Sequence, residues 1–525
     1  MPTPLARPRR DDDASAPRPS RSRGLARLLP RIDRALTIAL LAALTVLLVE
    51  VLFEAWVQEL LGNRSVNAAG KVVGELPGWP KDLKNGLLIG LVAVSAAKLS
   101  IERRWRELTT RADAALGVLI IVMVVAGLLG TSGPVLIGEA VFVYLRGAVV
   151  FYAIRALRPT WRQIRAPLVL VAGLLGLNVA VAVVQAIVGL PAFRAFGWVD
   201  LQQAMDHRAQ GLFDHPNHLG HVLGLALLGI VAWMTGLRKV SRAWWLALGG
   251  AALGVALSQS RESMVAALCG IALIWLLRRS GGRTALAAST VVIVLFAGYL
   301  VARPGNLSEL GRRLMGVVSA VETPSGTENC DGLTSVECVD RGRVKQREVR
   351  VLFYQQGARL LVHRPVLGYG VGQFGGIVAE EHDPNWQLDP RFPGGFDLHD
   401  FDGTTVDSFW LHLTVETGVI GLLAYLAWLW LVTVPLLGVT RRFAGRRVWG
   451  AARARAPAGD QTTEAVALWG PAAVLFTVVI GFFSSALEDA LYPTLAFTVL
   501  GIGWVLTRAV GQPGEPVKPE PAPVG

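Results

Sequence analysis

The amino-acid sequence predicts an all-α polytopic membrane protein with about 12 transmembrane helices. Of its 525 residues, 52% are hydrophobic and only 17% are charged, and the mean hydropathy is +0.46. So few charged residues cannot solvate this much apolar chain, which excludes an ordinary soluble domain and a disordered protein. The apolar residues also fall in blocks close to the ~20 residues that a helix needs to cross a bilayer.

Twelve apolar blocks are candidate spans. The first is too long for the core of a signal peptide, and no cleavage site follows it. Three cysteines are too few for a disulfide scaffold. In chain order, the candidate spans are 35–53, 86–101, 114–130, 133–154, 167–190, 217–236, 243–259, 263–277, 284–302, 408–437, 464–487 and 491–507.

The basic residues predict the orientation. Every second connection is rich in Lys and Arg, as in "KLSIERRWRELTTR", "RALRPTWRQIR" and "TRRFAGRRVWGAARARA". Basic connections stay in the cytoplasm, so we expect a multi-pass protein of the inner (cytoplasmic) membrane with both termini cytoplasmic. The net charge of +12 therefore reports orientation, and no nucleic-acid partner is expected.

These assignments divide the chain into five segments. The termini are expected to be disordered cytoplasmic tails, and a long extracytoplasmic loop with helical periodicity separates spans 9 and 10. The segments are a basic tail at 1–34, spans 1–9 at 35–302, the loop at 303–407, spans 10–12 at 408–508 and a tail at 509–525.

The long loop carries a cluster of arginines. Its 105 residues far exceed a typical connection of about 4–6 residues, which favours a functional segment. Arg343, Arg347, Arg350 and Tyr354 are spaced to share one face of a helix. Guanidinium groups suit phosphate because they stay charged and offer paired donors in a fixed fork. The alternative is an interfacial helix whose arginines contact lipid headgroups.

The rest of the loop has two further features. Cys330 and Cys338, in "NCDGLTSVEC", lie outside the membrane in this topology, and an oxidising compartment favours a local disulfide there. The segment 376–407 is acidic and is expected to be mostly solvated surface. Its "DLHDFDG" resembles part of a calcium loop but lacks the full ligand pattern, so no metal site is predicted.

Ionisable residues within the apolar blocks are candidates for function, because burying a charge in a membrane is costly. Arg261, in "ALSQSRESM", is surrounded by serines that could help to hold an anion, or it could be an ordinary snorkelling arginine. Glu139 and Arg146 are seven residues apart in the fourth span and are expected to neutralise each other. The His218 and His221 pair lacks a third ligand for zinc.

Four blocks of sequence resemble the O-antigen ligase/polymerase family of bacterial envelope glycan enzymes. They are "RAQGLFDHPNHLG", "SQSRESM", "REVRVLFYQQGARLLVHRPVLGYGVGQF" and "VDSFWLHLTVETGVIGLL". They are similar, in order, to an R-x-x-G entry into a span, an S-x-S-R turn, an Arg-aromatic segment ending in P-x-x-G-x-G, and a span with E-x-G-x-x-G-L-L.

The resemblance implies a GT-C-like membrane glycosyltransferase that takes glycan from an undecaprenyl or related polyprenyl diphosphate at the outer membrane face. The scheme uses neither a nucleotide sugar nor a metal or other cofactor, and the acceptor would be a glycan, a lipid or a protein. The resemblance does not distinguish a ligase from a polymerase. A small-solute or lipid-linked-glycan transporter, and an assembly partner without catalysis, are the alternatives.

The resemblance also implies roles for particular residues. Asp407 stands where the family often has a catalytic His, and Ser408 replaces the following Asn, so we expect Asp407 to be the general base. His399 and His412 are alternatives. A single base implies inversion of the anomeric carbon. Diphosphate binding is assigned to Arg261, Arg350, Arg347 and Arg208, and the substrate cavity to Ser260, Asn217, Tyr354 and Glu416.

Overall fold

The computed structural model describes residues 21–67, 72–237, 240–278, 283–302, 349–398, 405–448 and 458–511. These residues are mainly helical, as the sequence predicts. Strands β1 (Ser65–Val66) and β2 (Val72–Val73) pair antiparallel in a short ribbon after the first helix. Cys330, Cys338, Arg347 and His399 lie outside the described residues, so the predictions made for them stay predictions.

The helices follow the apolar blocks of the sequence. In chain order they are α1 (Arg21–Leu61), α2 (Trp79–Ile101), α3 (Arg111–Leu129), α4 (Pro134–Tyr144), α5 (Arg146–Leu157), α6 (Trp161–Val188), α7 (Leu190–Ala195), α8 (Gln202–Met205), α9 (Pro216–Gly236), α10 (Arg242–Ser258), α11 (Arg261–Arg278), α12 (Arg283–Ala302), α13 (Val349–His363), α14 (Ile377–His382), α15 (Phe409–Val448), α16 (Ala458–Gly481) and α17 (Leu491–Gly511). The first helix includes residues 21–34, which the sequence assigns to a disordered tail.

A helix occupies each of the twelve predicted spans. Within the described ranges, seven helices are long and apolar enough to cross a membrane, or eight if the bent pair α4 and α5 counts as one span. The helices α10, α11, α12 and α17 are outside that set, so the count of twelve stays a prediction.

Local sequence sets several helix ends. Thr110 begins α3 with a capping box in which its hydroxyl and the Asp113 carboxylate satisfy each other's backbone N–H groups. Thr160 and Gln163 do the same for α6. Proline occupies the first turn of α2, α4 and α9, where a backbone N–H would have no partner within the helix.

The fourth predicted span is broken, and this overturns the expected Glu139–Arg146 pair. The chain bends by 61° between α4 and α5, so residues seven apart no longer share a helix face. Glu139 Oε2 instead lies 2.7 Å from His382 Nε2 in α14. Arg146 donates from Nη1 to the Glu488 backbone oxygen at 2.8 Å.

A buried ion network joins the helices at one end of the bundle. Arg155 is only 5% exposed, and its guanidinium contacts Asp113 and the Glu107 backbone oxygen. In the same region, Lys98 of α2 lies 2.6 Å from Asp33 of α1. Since a buried charge is costly without partners, this network fixes α1, α2, α3 and α5 to one another. The candidate site lies at the opposite end.

The described part of the predicted loop has its own core. Aromatic side chains from 353–396 pack together and against the first turns of α15. Phe374 contacts Trp386, Phe392 and Phe396, with ring centroids 5.0 to 5.8 Å apart. The loop is therefore a packed layer at one end of the bundle, which gives α13 a fixed place relative to the spans.

Candidate functional site

The segment that enters α9 lies along the turn between α10 and α11. Ala209 N donates to Leu257 O at 3.1 Å, and Gln259 Nε2 donates to His207 O at 2.7 Å. Arg208, between these contacts, donates from Nε to Ser258 O at 3.2 Å. The first two sequence blocks are thus in direct contact.

The serines of the S-x-S-R turn are internal. Ser260 is 0% exposed, its Oγ lies 2.6 Å from Ser263 Oγ, and its backbone N–H donates to Ser258 Oγ at 3.2 Å. Gly220 of α9 packs directly on this turn, and a Cβ there would lie 2.6 Å from Ser260 Cβ. Ser260 therefore shapes the turn before Arg261, and its assignment to the substrate cavity stays a prediction.

Three of the four arginines assigned to diphosphate binding lie in one region. Burial lowers the pKa of Arg208, and the nearby positive charges of Arg350 and Arg261 lower it further, while Glu262 and Asp206 act in the opposite direction. Asn217 Oδ1 accepts from Arg208 Nη2 at 2.6 Å and so helps to orient this guanidinium. Arg208, Arg261 and Arg350 are therefore close enough for their charges to act on one another.

Two helices begin at this cluster of arginines. Arg261 is the first residue of α11, and α9 begins at Pro216, immediately before Asn217. The N-terminal end of a helix carries a partial positive charge and unpaired N–H groups, so it favours an anion. The helix ends and the guanidinium groups therefore create positive potential in the same place.

The helix α13 adds Arg350 and Tyr354 to the site. Arg350 Nη2 lies 3.0 Å from Asp407 Oδ2, and both side chains are partly exposed. One turn later, Tyr354 Oη lies 2.5 Å from Ser408 Oγ and donates to Phe482 O at 2.7 Å. The residue predicted as the general base is thus the ion-pair partner of a residue predicted to hold phosphate.

Glu416 is a buried anchor, and its assignment to the substrate cavity stays a prediction. Its carboxylate is 0% exposed and accepts from the Gln373 and Phe374 backbone N–H groups, at 2.9 and 3.0 Å, and from Tyr144 Oη at 2.7 Å. It holds the glycine-rich loop 368–376 against α15 and α4. The assignment from the sequence missed this, because burial of one carboxylate depends on the folding of a distant loop.

Gly418 lets the same loop approach α15 closely. Its φ of +67° interrupts the helix, and a Cβ there would lie 2.2 Å from Val366 O, in the segment that follows Pro365. Val419 N then donates to Pro365 O at 2.9 Å. The P-x-x-G and E-x-G motifs, which come from separate blocks, are therefore parts of one contact.

His412 is buried beside a carboxylate that the sequence did not single out. Its ring is 0% exposed, and Nδ1 is hydrogen-bonded to Glu488, which is also fully buried. Its Nε2 has no hydrogen-bond partner among the described residues. In the sequence, Glu488 was indicated only by the acidic residues of "LEDA", the short connection between α16 and α17. A catalytic role for His412 stays a prediction.

His218 also has a carboxylate partner. Its Nδ1 lies 2.6 Å from Asp214 Oδ1, just before α9 begins. The imidazole of His218 holds the pKa of Asp214 below its usual range. Within the described ranges, no three His, Cys, Asp or Glu side chains are arranged to hold a metal ion.

Residues 245–426, about a third of the chain, match a family model described as O-Antigen ligase. This match confirms the resemblance predicted from the sequence blocks. The S-x-S-R turn, the Arg-aromatic segment and the E-x-G span lie inside the matched range, and the entry to α9 precedes it. No curated protein matches the chain.

Proposed function

From the match to the O-antigen ligase family, we propose that the protein is a membrane glycosyltransferase with a polyprenyl-diphosphate-linked glycan donor. It transfers or polymerises this glycan at the outer face of the cytoplasmic membrane. The family match supports the coarser statement, a membrane enzyme that transfers glycan. The more specific statement, that the donor is linked to a polyprenyl diphosphate, is supported by the proximity of Arg208, Arg261 and Arg350.

The arginines hold the donor diphosphate in this proposal. Cleaving a glycosyl–diphosphate bond leaves negative charge on the departing phosphate, and fixed cationic donors in a water-poor site stabilise that charge. The forked guanidinium groups suit two phosphates, and the N-terminal ends of α9 and α11 add to the positive potential. These groups supply the role that a divalent cation has in other glycosyl transfers.

Asp407 is the base that we propose. In the structure its carboxylate is paired with Arg350 at 3.0 Å. A bound diphosphate competes for the same guanidinium and so frees the carboxylate beside the donor. Asp407 then takes the proton of the acceptor hydroxyl, whose oxygen bonds to the anomeric carbon. The bond between the anomeric carbon and the phosphate oxygen then breaks, and its electron pair stays on the diphosphate. The configuration at the anomeric carbon inverts.

The position of the site supports an external reaction. The arginines, α13 and the packed loop all lie at the end of the bundle that the distribution of basic connections predicts to be outside. The opposite end carries the buried network around Arg155. In this orientation both termini are cytoplasmic.

The direct test is deletion of the gene, followed by comparison of surface polysaccharide length and attachment. We expect loss of the mature polysaccharide, accumulation of lipid-linked glycan, and recovery of both when the gene is restored. Unchanged polysaccharide and unchanged lipid-linked glycan would contradict the proposal. Solute uptake into proteoliposomes that lack any glycan would instead favour a transporter.

Replacing Asp407 by asparagine tests the base. Asparagine keeps the size of the side chain but cannot accept the proton, so we expect glycan transfer to fall about 100-fold or more. The measurement is polysaccharide formed per amount of membrane-inserted protein. As a matched control, Asp383→Asn removes the same charge from an exposed position in the loop. Wild-type transfer by Asp407→Asn would move the role of base to another residue.

A further inference from the structure

A second polar surface lies next to the arginines, with His218 at its centre. While Nδ1 of His218 is held by Asp214, Nε2 lies 3.7 Å from Asp489 Oδ2, too far for a direct hydrogen bond. The side chains of His218, Asp489 and Asp214 are 22%, 26% and 58% exposed. The gap between His218 and Asp489 is therefore open to solvent, and both groups on its sides can bind a hydroxyl.

The first two helices contribute an ion pair to this surface. Lys84 Nζ lies 2.6 Å from Glu54 Oε1, and both side chains are mostly buried. The charges of Asp489 and Asp214 act on Glu54, which places the pair beside the His218 gap. One turn earlier in α1, neither carboxylate oxygen of Glu50 has a hydrogen-bond partner among the described residues.

Arg146 gives independent evidence for a ligand. The residue is only 8% exposed, and its Nε has no hydrogen-bond partner within the described ranges. Its Nη1 donates to the Glu488 backbone oxygen at 2.8 Å, which places its guanidinium next to Asp489, and the charges of Asp489 and Glu54 act on it. A buried donor without a partner costs free energy, and a ligand that offers an acceptor oxygen removes that cost. We name this set the polar basin, which consists of Glu54, Lys84, Arg146, Asp214, His218 and Asp489.

The charges of the polar basin indicate the class of ligand. Its three carboxylates balance the positive charges of Lys84, Arg146 and His218, so the basin has no excess positive charge to hold a second diphosphate. Carboxylates accept hydrogen bonds from hydroxyl groups, while guanidinium and imidazole groups donate to hydroxyl and ring oxygens. This combination suits an uncharged saccharide.

His215 connects the polar basin to the arginines. Its ring centroid lies 6.2 Å from that of His218. Burial lowers the pKa of His215 to about 3, and the positive charges of His218, Arg208 and Arg350 contribute to this. His215 is therefore close both to the basin and to the cluster of arginines.

We propose that the polar basin binds the saccharide end of the acceptor, next to the donor diphosphate held by the arginines. The inference rests on the proposed function and adds to it a separate acceptor subsite. The basin lacks an excess of positive charge, so the diphosphate stays on the arginine side and the hydroxylated acceptor occupies the basin. His218 and Asp489 then present the reacting hydroxyl towards the donor.

The test uses the full-length protein in lipid nanodiscs and two probes. Undecaprenyl diphosphate alone measures donor-side binding. Transfer is measured with lipid-linked glycan from the deletion strain as the donor, at a saturating concentration. The acceptor is the glycolipid and polysaccharide fraction of the same strain, and its concentration is varied. For His218→Gln and Asp489→Asn, we expect the KM for the acceptor fraction to rise about tenfold, as for loss of one hydrogen bond to a charged group. The Kd for undecaprenyl diphosphate should stay within about twofold of the wild-type value, given that no basin residue contacts it.

The outcomes separate this inference from the proposed function. Asp82→Asn, which removes a charge from an exposed position at the start of α2, should leave both measurements unchanged. Wild-type acceptor KM in both basin variants, or loss of undecaprenyl diphosphate binding in both, would overturn the acceptor subsite. If the wild-type protein neither binds undecaprenyl diphosphate nor transfers glycan, the proposed function itself fails.

Discussion

Alanine in place of Arg350, or of Arg261, is expected to lower glycan transfer at least about 100-fold, as for removal of one key donor to a developing negative charge. Each substitution removes one of the two guanidinium groups whose positive charges act on Arg208. Arg350→Lys should retain part of the activity, because lysine keeps the charge but loses the paired donors of the fork. The measurement is surface polysaccharide in the complemented deletion strain, relative to protein in the membrane.

A control on the same helix separates charge loss from damage to α13. Arg359 donates to Gly395 O at 2.6 Å within the loop, away from Asp407. Arg359→Ala should therefore retain most of the transfer. Full-length polysaccharide at the wild-type level from Arg350→Ala or Arg261→Ala would contradict the role of the cluster.

Replacing Glu416 by alanine should give the largest loss of stability. The carboxylate accepts three buried hydrogen bonds, from Gln373 N, Phe374 N and Tyr144 Oη. Its removal leaves these donors without a partner, at a cost of about 1–3 kcal/mol each before relaxation. We expect the thermal unfolding midpoint of the purified protein, followed by tryptophan fluorescence, to fall by about 3 °C or more, because the three lost hydrogen bonds together cost at least about 3 kcal/mol.

Two further variants make this test specific. Glu416→Gln keeps an acceptor oxygen and should lose less stability than Glu416→Ala. Glu381→Ala removes a carboxylate that forms a mainly exposed ion pair with Lys81, and such pairs contribute little. If Glu416→Ala and Glu381→Ala unfold at the same temperature, Glu416 does not anchor the glycine-rich loop.

Apolar block length was sufficient to place the helices, because a bilayer-spanning helix needs a run of apolar residues that few other structures contain. The break between α4 and α5 could not be predicted in this way. No proline or glycine separates Tyr144 from Arg146, and the bend goes with contacts to α14 and to Glu488, both distant in sequence. The expected Glu139–Arg146 pair failed for that reason.

The site was predictable to the extent that its motifs are local. The S-x-S-R turn and the spacing of Arg350 and Tyr354 on α13 can be recognised in the sequence, and in the structure the charges of Arg261 and Arg350 act on Arg208. The burial of Ser260 and Glu416 was not predicted, because sequence spacing cannot distinguish a buried polar anchor from a lining residue. Glu488 and Asp489 were missed because their partners come from other helices.

The most direct test of the central claim is the binding of undecaprenyl diphosphate to the purified protein. Wild type, Arg261→Gln, Arg350→Gln and the double variant would be compared in nanodiscs at one salt concentration. If both guanidinium groups hold one diphosphate, each single substitution weakens binding about tenfold or more. The loss of binding free energy in the double variant then differs from the sum of the losses in the two single variants. Wild-type affinity in either single variant, or no binding by the wild-type protein, would contradict the account.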